Sequence, residues 1–565
     1  MPAGPFELDP PLSDSAPDAM RAFETHDVFN QTPPVVGRNL FDTDPVVLGA
    51  LEAALDPDIE EMLQRAGAYW GSAEALEIAR LANTAPPVLR THDRFGYRLD
   101  SVEFHPAYHA LMRHSVDAGL HAALWESDPT LAGRRNAVRA AGYYLAAQGE
   151  AGHLGALTAT SAAVVALAAD SGVVDAWLPG ILSRRYDHRS LPAAQKLGLT
   201  IAIGLTEKQG GTDARTTTTV AEPAGEGLWR LTGHKWFLSA PMSDAFVVLA
   251  QAEGRLGCFL VPRVLDDGGP NAVRFQRLKD KLGTRSNATA EAELAGAYGF
   301  ALGEPGHGLG AVLQMVTLTR FDSAVASAGL MRAALTEAVH HARHRVAFGA
   351  TLIDQPIMTR VLADLALDSA AASALVMRLA LAFDAATTDA AEAAYVQLMT
   401  PVAKYWVSKI APSLIAEAME CLGGNGYVEE SVLPRLYRDA PALTISDGPG
   451  NAMCLDVLRT LRRDPAALDA VLEEIGRDME TEGPSSVVDI RSTAAMAVGD
   501  LGAARVLTEQ LALAAAASAL RRCAPRVLSD AFMETRIVGP WRATYGKLDG
   551  RFDARGIVDY VVPAA

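Results

Sequence analysis

Apolar residues recur at spacings of three and four along most of the chain, a pattern typical of amphipathic or buried helices. From about residue 45 to 200 the pattern is rich in Ala and Leu, as in 73–81 and 138–147, and it predicts an all-helical first domain. The uncharged run 154–169 is shorter than the roughly 18 to 20 residues of a membrane span and contains three hydroxyl residues, so it predicts a buried helix.

The pattern changes between about residues 204 and 300. Short apolar runs there are separated by Gly, Pro, Asp and Asn, which is typical of strands joined by turns. The runs are Leu228–Leu231, Trp236–Leu238, Phe246–Leu249 and Gly257–Val261. They predict a β domain in the middle of the chain.

Helical spacing returns at about residue 308 and continues to 475, with breaks at the glycine-rich segments 423–426 and 448–450. After a polar break at 480–486, an alanine-rich helical stretch runs to about 530. Several apolar positions suit a bundle of long helices: Leu362, Leu365, Ala366, Leu375, Val376 and Leu379. The predicted organisation is an extended segment (1–44), a helical domain (45–203), a β domain (204–307), a helical bundle (308–455) and an additional helical domain (456–565).

Composition supports a folded protein of several domains, because 49% of the 565 residues are hydrophobic and 21% are charged. The net charge of −17 argues against an affinity for nucleic acid or anionic lipid spread over the whole molecule. The four cysteines lie far apart, without the close Cys/His pairs of a zinc site, so no disulfide framework and no metal are expected. The N-terminus lacks the charge and apolar core of a signal peptide, and a cytoplasmic, non-membrane protein is expected.

The densest chemical signal is the segment 204–213, Gly-Leu-Thr-Glu-Lys-Gln-Gly-Gly-Thr-Asp, followed by four threonines at 216–219. Glycines flanked by hydroxyl residues let backbone N–H groups approach an anionic or carbonyl-rich ligand. The segment is neither a Walker A loop nor a dinucleotide-binding GxGxxG motif. Alone, it is more typical of a polar turn that opens the β domain.

Further motifs follow in a fixed order, and they change that interpretation. They are Gly233–Ser239, Leu302–Gly308, Arg345–Gly349 with Gln355, Leu422–Tyr427, Arg435–Asp439 and Ile445–Asn451. With these motifs the chain resembles the acyl-CoA dehydrogenase family over about residues 45–455. The resemblance implies a mainly α fold with a central β-barrel domain between a helical N-terminal domain and a helical bundle.

Within that family the sequence is most similar to the AidB branch, the adaptive-response proteins of bacterial alkylation stress. The similar segments are 28–31, 80–83, 104–106, 206–211, 279–283, 285–287 and 453–459. The helical stretch after residue 455 also resembles the additional C-terminal domain of that branch.

The resemblance implies FAD bound between the β domain and the bundle. Residues expected at the flavin ring and pyrophosphate are Ile203, Leu205, Thr206, Gly211, Thr212, Phe237, Leu238 and Ser239. Residues expected at the adenine-diphosphate part, from a neighbouring subunit of a homotetramer, are Arg345, Phe348, Gln355, Gly423 and Gly424. The segment expected to close over the flavin contributes Ile445, Gly448, Gly450 and Asn451. An anionic pyrophosphate needs Arg and backbone donors, so these types suit the role.

The family's reaction removes an α-proton from an acyl thioester while the β-hydrogen leaves as hydride. The resemblance places the catalytic base directly before the glycine of the closing segment, where this chain has Asp447 in place of the usual glutamate. Aspartate is one methylene shorter, and a displacement of about 1 Å can lower the rate by about a hundredfold. The resemblance also implies that Ser446 stands where the family usually has an aromatic residue, and that Thr319 lies near the alternative base position of the isovaleryl branch.

Two alternatives remain open at this point. One is a DNA-shielding role of the AidB type, but residues 452–565 hold 14 basic and 16 acidic side chains, a balance unlike that of a DNA-binding domain. The other is a flavin-dependent reaction with oxygen on an amine or other small molecule. The expected partners are therefore a small-molecule or acyl-thioester substrate and either an electron-transfer protein or oxygen.

Overall fold

The computed structural model describes residues 25–564 except 226, 307, 480–482, 540–544, 546, 547 and 549. Helices form two regions of the chain, one before and one after a central β domain. In chain order the first seven helices are α1 Pro45–Leu51, α2 Pro57–Trp70, α3 Ala73–Thr84, α4 Pro106–Asp117, α5 Arg135–Gly149, α6 Leu154–Leu167 and α7 Ser171–Leu182. The helices predicted at 73–81 and 138–147 and the buried helix predicted from residue 154 are confirmed.

Side-chain caps define where several of these helices begin. Asp56 accepts a hydrogen bond from the backbone N–H of Ile59 at the start of α2, and Ser72 accepts one from Ala75 at the start of α3. Such caps satisfy N–H groups that have no partner inside the helix. The local sequence therefore marks where these two helices begin.

The prediction of an all-helical first domain is wrong at one place. Strands β1 Val88–His92 and β2 Arg98–Glu103 form an antiparallel hairpin between α3 and α4. Its turn is stabilised by Asp93, whose Oδ1 accepts from the N–H groups of Phe95 and Tyr97 at 2.8 and 2.9 Å. The hairpin is mostly exposed, so it lacks the apolar run that signals a buried strand.

The middle of the chain forms a closed β-barrel, as predicted. Its strands are β3 Ile201–Gly204, β4 Val220–Gly225, β5 Leu228–Ser239, β6 Ala245–Ala252, β7 Arg255–Pro262, β8 Val273–Leu278 and β9 Thr289–Ala301. Pairing runs from β6 through β4, β5, β9 and β7 and back to β6, which closes the ring. β3 extends the sheet beside β6 in parallel, and β8 lies beside β9. All four predicted apolar runs lie within these strands.

Three long helices form the bundle: α8 Gly308–His344, α9 Pro356–Ala385 and α10 Ala390–Cys421. The predicted bundle positions on α9 are all buried. In the described residues α9 alone is long and apolar enough to cross a membrane, and it is packed inside the bundle, as the core helix of a globular protein would be. A short hairpin, β10 Val346–Ala347 and β11 Ala350–Thr351, follows α8.

The remaining helices complete the bundle and add a further helical region. They are α11 Gly424–Tyr427, α12 Leu433–Ile445, α13 Gly450–Arg463, α14 Ala466–Met479, α15 Gly483–Gly499, α16 Ala504–Cys523, α17 Arg526–Met533 and α18 Ala554–Val561. Buried Arg378 of α9 pairs with Glu474 of α14 at 2.6 Å, which ties this region to the bundle. The predicted break at 480–486 lies partly outside the described residues. The domain limits themselves stay predictions.

Candidate active site

Asp447 lies in a tight turn between α12 and α13. Its φ is +57°, and that of Gly448 is +109°, so both residues are in the left-handed region. A non-glycine residue in that region costs of order 1 kcal/mol or more and persists only where its surroundings hold it. At Gly448 a side chain is also excluded, because an added Cβ would lie 2.8 Å from Cε of Met453. The turn is thus a constrained feature at the predicted catalytic position.

Two cationic side chains hold this turn through its carbonyl groups. Arg320 of α8 donates from Nε to the backbone oxygen of Asp447 at 2.9 Å, and its NH1 lies 2.7 Å from Asp456. Lys404 of α10 donates to the carbonyls of Thr444 at 3.1 Å and Gly448 at 2.7 Å. Neither residue was predicted from the sequence as part of the site.

The Asp447 residue is exposed to solvent, and its carboxyl lies among hydroxyl and charged groups of the protein. Thr319 hydrogen-bonds to it, and Oγ of Ser323 is 3.5 Å from Oδ2, at the outer limit of a hydrogen bond. Desolvation by the surrounding protein raises the pKa of Asp447 above its usual value, and Lys404, Thr319 and Arg320 only partly oppose that increase. A carboxylate with a raised pKa suits general-base catalysis near neutral pH.

A buried polar network lies behind the turn. Arg139 of α5 makes two hydrogen bonds to Asp322 of α8, at 2.6 and 2.7 Å. Thr158 donates to Asp322 at 2.6 Å, and the hydroxyl of Tyr143 is 2.7 Å from that of Thr158. The negative charge of Asp322 contributes to the raised pKa of Asp447. Asp322, whose charge acts on the candidate base, is therefore itself paired.

The end of β3 and the loop after it share an apolar cluster with α8. Ile203 and Leu205 are half-buried and belong to one apolar cluster with Val316 and Leu318, which directly precede Thr319. Thr206 accepts a hydrogen bond from the backbone N–H of Trp236 at 2.8 Å, which joins this loop to β5. Part of the predicted flavin segment at 203–206 therefore packs against the same apolar cluster as the part of α8 that leads to Thr319.

A buried ion pair that the sequence analysis missed fixes this loop. Lys235 donates to Oε1 of Glu207 at 2.7 Å, and both side chains are buried. Burial alone would raise the pKa of Glu207, but Lys235 and the Thr219 hydroxyl outweigh that effect and hold the pKa well below its usual range. An added Cβ on Gly211 would lie 2.9 Å from Oγ1 of Thr206, so the glycine lets the loop fold closely on itself. Gly211 and the following Thr212 are exposed.

The strand segment 237–239 presents alternate side chains to opposite faces. Phe237 is 49% exposed, and Ser239 is exposed with its hydroxyl 3.2 Å from that of Thr289. Leu238 is buried on the other face, so it could approach a flavin ring only through its backbone. An exposed aromatic face beside hydroxyl donors fits a planar, partly polar ring system such as isoalloxazine.

A second group of predicted FAD residues lies at the far end of the bundle. Arg320 and His344 are 24 residues apart on α8, which corresponds to about 36 Å along the axis. Arg345 follows directly, and Phe348 is fully exposed at the tip of the β10–β11 hairpin. Gln355 donates to the carbonyl of Ala347 at 2.8 Å. The structure does not bring this group to Asp447 within one subunit.

Gly423 and Gly424 follow the C-terminal end of α10, and both are exposed with open space around an added Cβ.

Asn30, which was not predicted as a site residue, fixes the hairpin at 345–351. Its side chain bonds to both the N–H and the carbonyl of Val346 at 2.8 Å, and its own carbonyl accepts from Arg345 at 2.6 Å. The predicted extended N-terminal segment therefore contacts the predicted diphosphate group.

The closing segment is only partly free to meet a ligand. Ile445 is exposed, whereas an added Cβ on Gly450 would lie 3.3 Å from the ring of Tyr405. Asn451 accepts a hydrogen bond from Arg505 of α16 at 2.8 Å. The additional helical region thus contacts the first turn of α13, four residues after Asp447.

Three family models match the chain in the predicted order. Residues 30–188 match the adaptive response protein AidB N-terminal domain, residues 202–297 the acyl-CoA dehydrogenase middle domain, and residues 306–462 the acyl-CoA dehydrogenase C-terminal domain. The matched ranges span the helical region, the barrel and the bundle described above.

Relatives agree with these matches. Over 457 residues the chain is 47% identical to "Putative acyl-CoA dehydrogenase AidB" of Escherichia coli (strain K12), covering 80% of this chain and 83% of that protein. The solved structure "Bd2924 apo-form" is 27% identical with a TM-score of 0.80, over 87% of this chain and 99% of that one. Caenorhabditis elegans ACDH-11 in complex with C11-CoA, 24% identical with a TM-score of 0.80 over 97% and 94% of the two chains, shares the fold. The chain belongs to the acyl-CoA dehydrogenase family of flavoenzymes, in its AidB branch.

Proposed function

We propose that this protein binds FAD and introduces an α,β double bond into an acyl thioester or a related activated substrate, with Asp447 as the base. The observation that carries the proposal is the carboxyl of Asp447 itself, held in a constrained turn with a raised pKa. FAD, when bound, supplies the hydride acceptor.

Oxidation of a saturated thioester removes a proton from Cα and a hydride from Cβ, and the electron pair of the Cα–H bond forms the new double bond. Asp447 takes up the proton, which converts its carboxylate to a neutral acid. Burial favours the neutral acid, so the surroundings that raise the pKa of Asp447 also assist proton transfer. Arg320 and Lys404 keep the carboxylate in place through the backbone of the turn.

The cofactor site is proposed to be shared between subunits of a homotetramer. Thr206, Phe237 and Ser239 would contact the flavin ring, together with the other ring residues of the sequence analysis. Arg345 would contact the diphosphate from the neighbouring subunit, because about 36 Å of helix separates it from Asp447's own site. Reoxidation by an electron-transfer protein or by oxygen, and a cytoplasmic location, complete the proposal.

The test is anaerobic mixing of the flavin-loaded protein with a panel of acyl-CoAs and amines. We expect a thioester to bleach the absorbance of oxidised flavin, and Asp447→Asn to bind the same flavin without bleaching. A colourless protein that takes up no FAD would reject the cofactor proposal. Bleaching by amines alone, or oxygen-dependent hydroxylation of the substrate, would replace desaturation by a flavin-oxygen reaction.

A further inference from the structure

Lys404 is a buried cation that makes no ion pair within hydrogen-bonding distance among the described residues. It lies on α10 with 1% of its surface exposed. Its ammonium group donates to two carbonyls, those of Thr444 and Gly448, which lie on either side of Asp447 in the chain. A buried ammonium group is costly unless its surroundings compensate the charge. The backbone of the Asp447 turn provides part of that compensation.

The two carbonyls are ones that the local backbone leaves without helical partners. Thr444 lies in the last turn of α12, where C=O groups have no intrahelical donor and the helix end carries partial negative charge. Gly448 follows Asp447 in the left-handed turn. A cation between them both caps α12 and fixes the path of the chain through Asp447. Arg320 holds the third carbonyl, that of Asp447 itself.

We propose that Lys404 is a positioning residue for Asp447: it fixes the turn through the Thr444 and Gly448 carbonyls and supplies the buried positive charge that favours the carboxylate. This inference rests on the proposed function, in which Asp447 is the base.

The charged groups around the pair come from three elements. Arg320 and Asp322 face it from α8, Lys409 from α10 itself, and Asp447 from the turn. Burial lowers the pKa of Lys404 to about 8, and the charge of Asp447 opposes that decrease. Lys404 is therefore protonated at neutral pH. Its removal leaves Arg320 as the remaining cation that lowers the pKa of Asp447, with Asp322 still raising it.

The first experiment compares Lys404→Met with the wild-type protein. We expect kcat to fall by between about ten- and a hundredfold with flavin still bound, because the base is misplaced. We also expect the acidic limb of the kcat profile to move upward by about one pH unit, because the pKa of Asp447 rises when an opposite charge is removed. Ser413→Ala is the control, since Ser413 is exposed on the same helix, nine residues beyond Lys404. It should leave kcat and the acidic limb nearly unchanged.

Chemical rescue separates a lost charge from lost packing. In Lys404→Ala, added ethylammonium or propylammonium ions should restore part of kcat, whereas propanol of similar size should not. Equal rescue by the alcohol, or none by either, would assign Lys404 a packing role and overturn the proposal. If Lys404→Met does not fold, Lys404→Gln, which keeps a donor without the charge, is measured in its place.

A readout without turnover is a double-mutant cycle in thermal unfolding. Asp447→Asn is made in the wild-type and in the Lys404→Met background, and a non-additive change in stability is expected, because the two groups interact. Additive effects together with an unshifted pH profile would overturn the Lys404 proposal while leaving Asp447 as the base. Full turnover in Asp447→Asn would instead overturn the proposed function, whatever Lys404 does.

Discussion

The Asp447 turn and the hairpin after Arg345 are both predicted to serve the flavin site, yet the protein builds them in opposite ways. The turn is held by buried or half-buried side chains from two helices of the bundle. The hairpin lies at the surface, carries the fully exposed Phe348, and is held by Asn30 of the N-terminal segment.

The difference follows from the two tasks. Proton transfer requires a carboxylate fixed to within about 1 Å and partly removed from water, so its supports must be rigid and buried. Binding of a diphosphate from a second subunit requires cations and backbone donors that remain accessible until the subunits meet. Changes in the turn should therefore affect turnover, and changes in the hairpin should affect cofactor retention.

Replacing Asp447 should give the largest effect. Asp447→Asn is expected to lower turnover by about 10² to 10⁴-fold, the usual contribution of a general base, while flavin content and fold are kept. Asp447→Glu, which restores the family's side chain, should keep or raise activity toward ordinary acyl-CoAs. Steady-state kinetics with flavin absorbance measures both. Full turnover in Asp447→Asn would show that Asp447 is not the base and that the turn does not serve catalysis.

Breaking the ion pair beneath the 204–219 loop should mainly reduce stability. Lys235→Met leaves Glu207 buried without its cation and is expected to lower the free energy of unfolding by about 3–5 kcal/mol. Denaturant unfolding of the flavin-loaded protein measures this free energy. The control is Lys208→Met, an exposed position on the same loop, where the free energy of unfolding should fall by less than about 1 kcal/mol.

The pH dependence of the same pair has a definite sign. The folded pKa of Glu207 is lower than its unfolded value, so its stabilisation is present above the unfolded pKa of about 4.3 and is lost as pH falls. Glu207→Gln should flatten that part of the stability curve. If the stability of Glu207→Gln falls with acid as steeply as that of the wild-type protein, ionisation of Glu207 does not contribute to the acid dependence.

At the hairpin, Arg345→Ala should weaken FAD binding by about 10- to 100-fold, because a charge-assisted hydrogen bond contributes about 1.5–3 kcal/mol. Turnover at saturating FAD should stay near that of the wild-type protein. Titration of apoprotein with FAD measures the Kd, and exposed Arg360→Ala serves as the control. A fall in turnover at saturating FAD would mean that the hairpin also shapes the reacting centre.

Asn30→Ala should have the smallest effect, about threefold to tenfold in the Kd for FAD. It removes two neutral hydrogen bonds that hold Val346, each contributing about 0.5–1.5 kcal/mol, and leaves Arg345 present. The same FAD titration applies. An effect larger than that of Arg345→Ala would mean that the N-terminal segment itself contacts the cofactor.

The order of helical, β and helical regions could be predicted because apolar spacing differs so strongly between them. The hairpin at 88–103 could not, since its exposed strands carry no core signal. Asp447 was found through a family motif, whereas Lys404, Glu207 and Lys235 were missed. A buried charge on an apolar helix or strand looks like a solvent-facing residue in sequence, and the partners of Lys404 are carbonyls some 40 residues away along the chain.

The central claim, that one site takes its base from one subunit and its diphosphate contacts from another, is tested most directly with mixed oligomers. Asp447→Asn and Arg345→Ala chains, each poorly active at limiting FAD, are co-expressed with different tags, and the hybrids are isolated. A hybrid pair would contain one site with both Asp447 and Arg345 intact, so turnover per mole of protein at limiting FAD should recover well above that of either parent. Hybrids no more active than the average of the two parents would contradict the account, because Asp447 and Arg345 would then not combine in one site across the subunit interface.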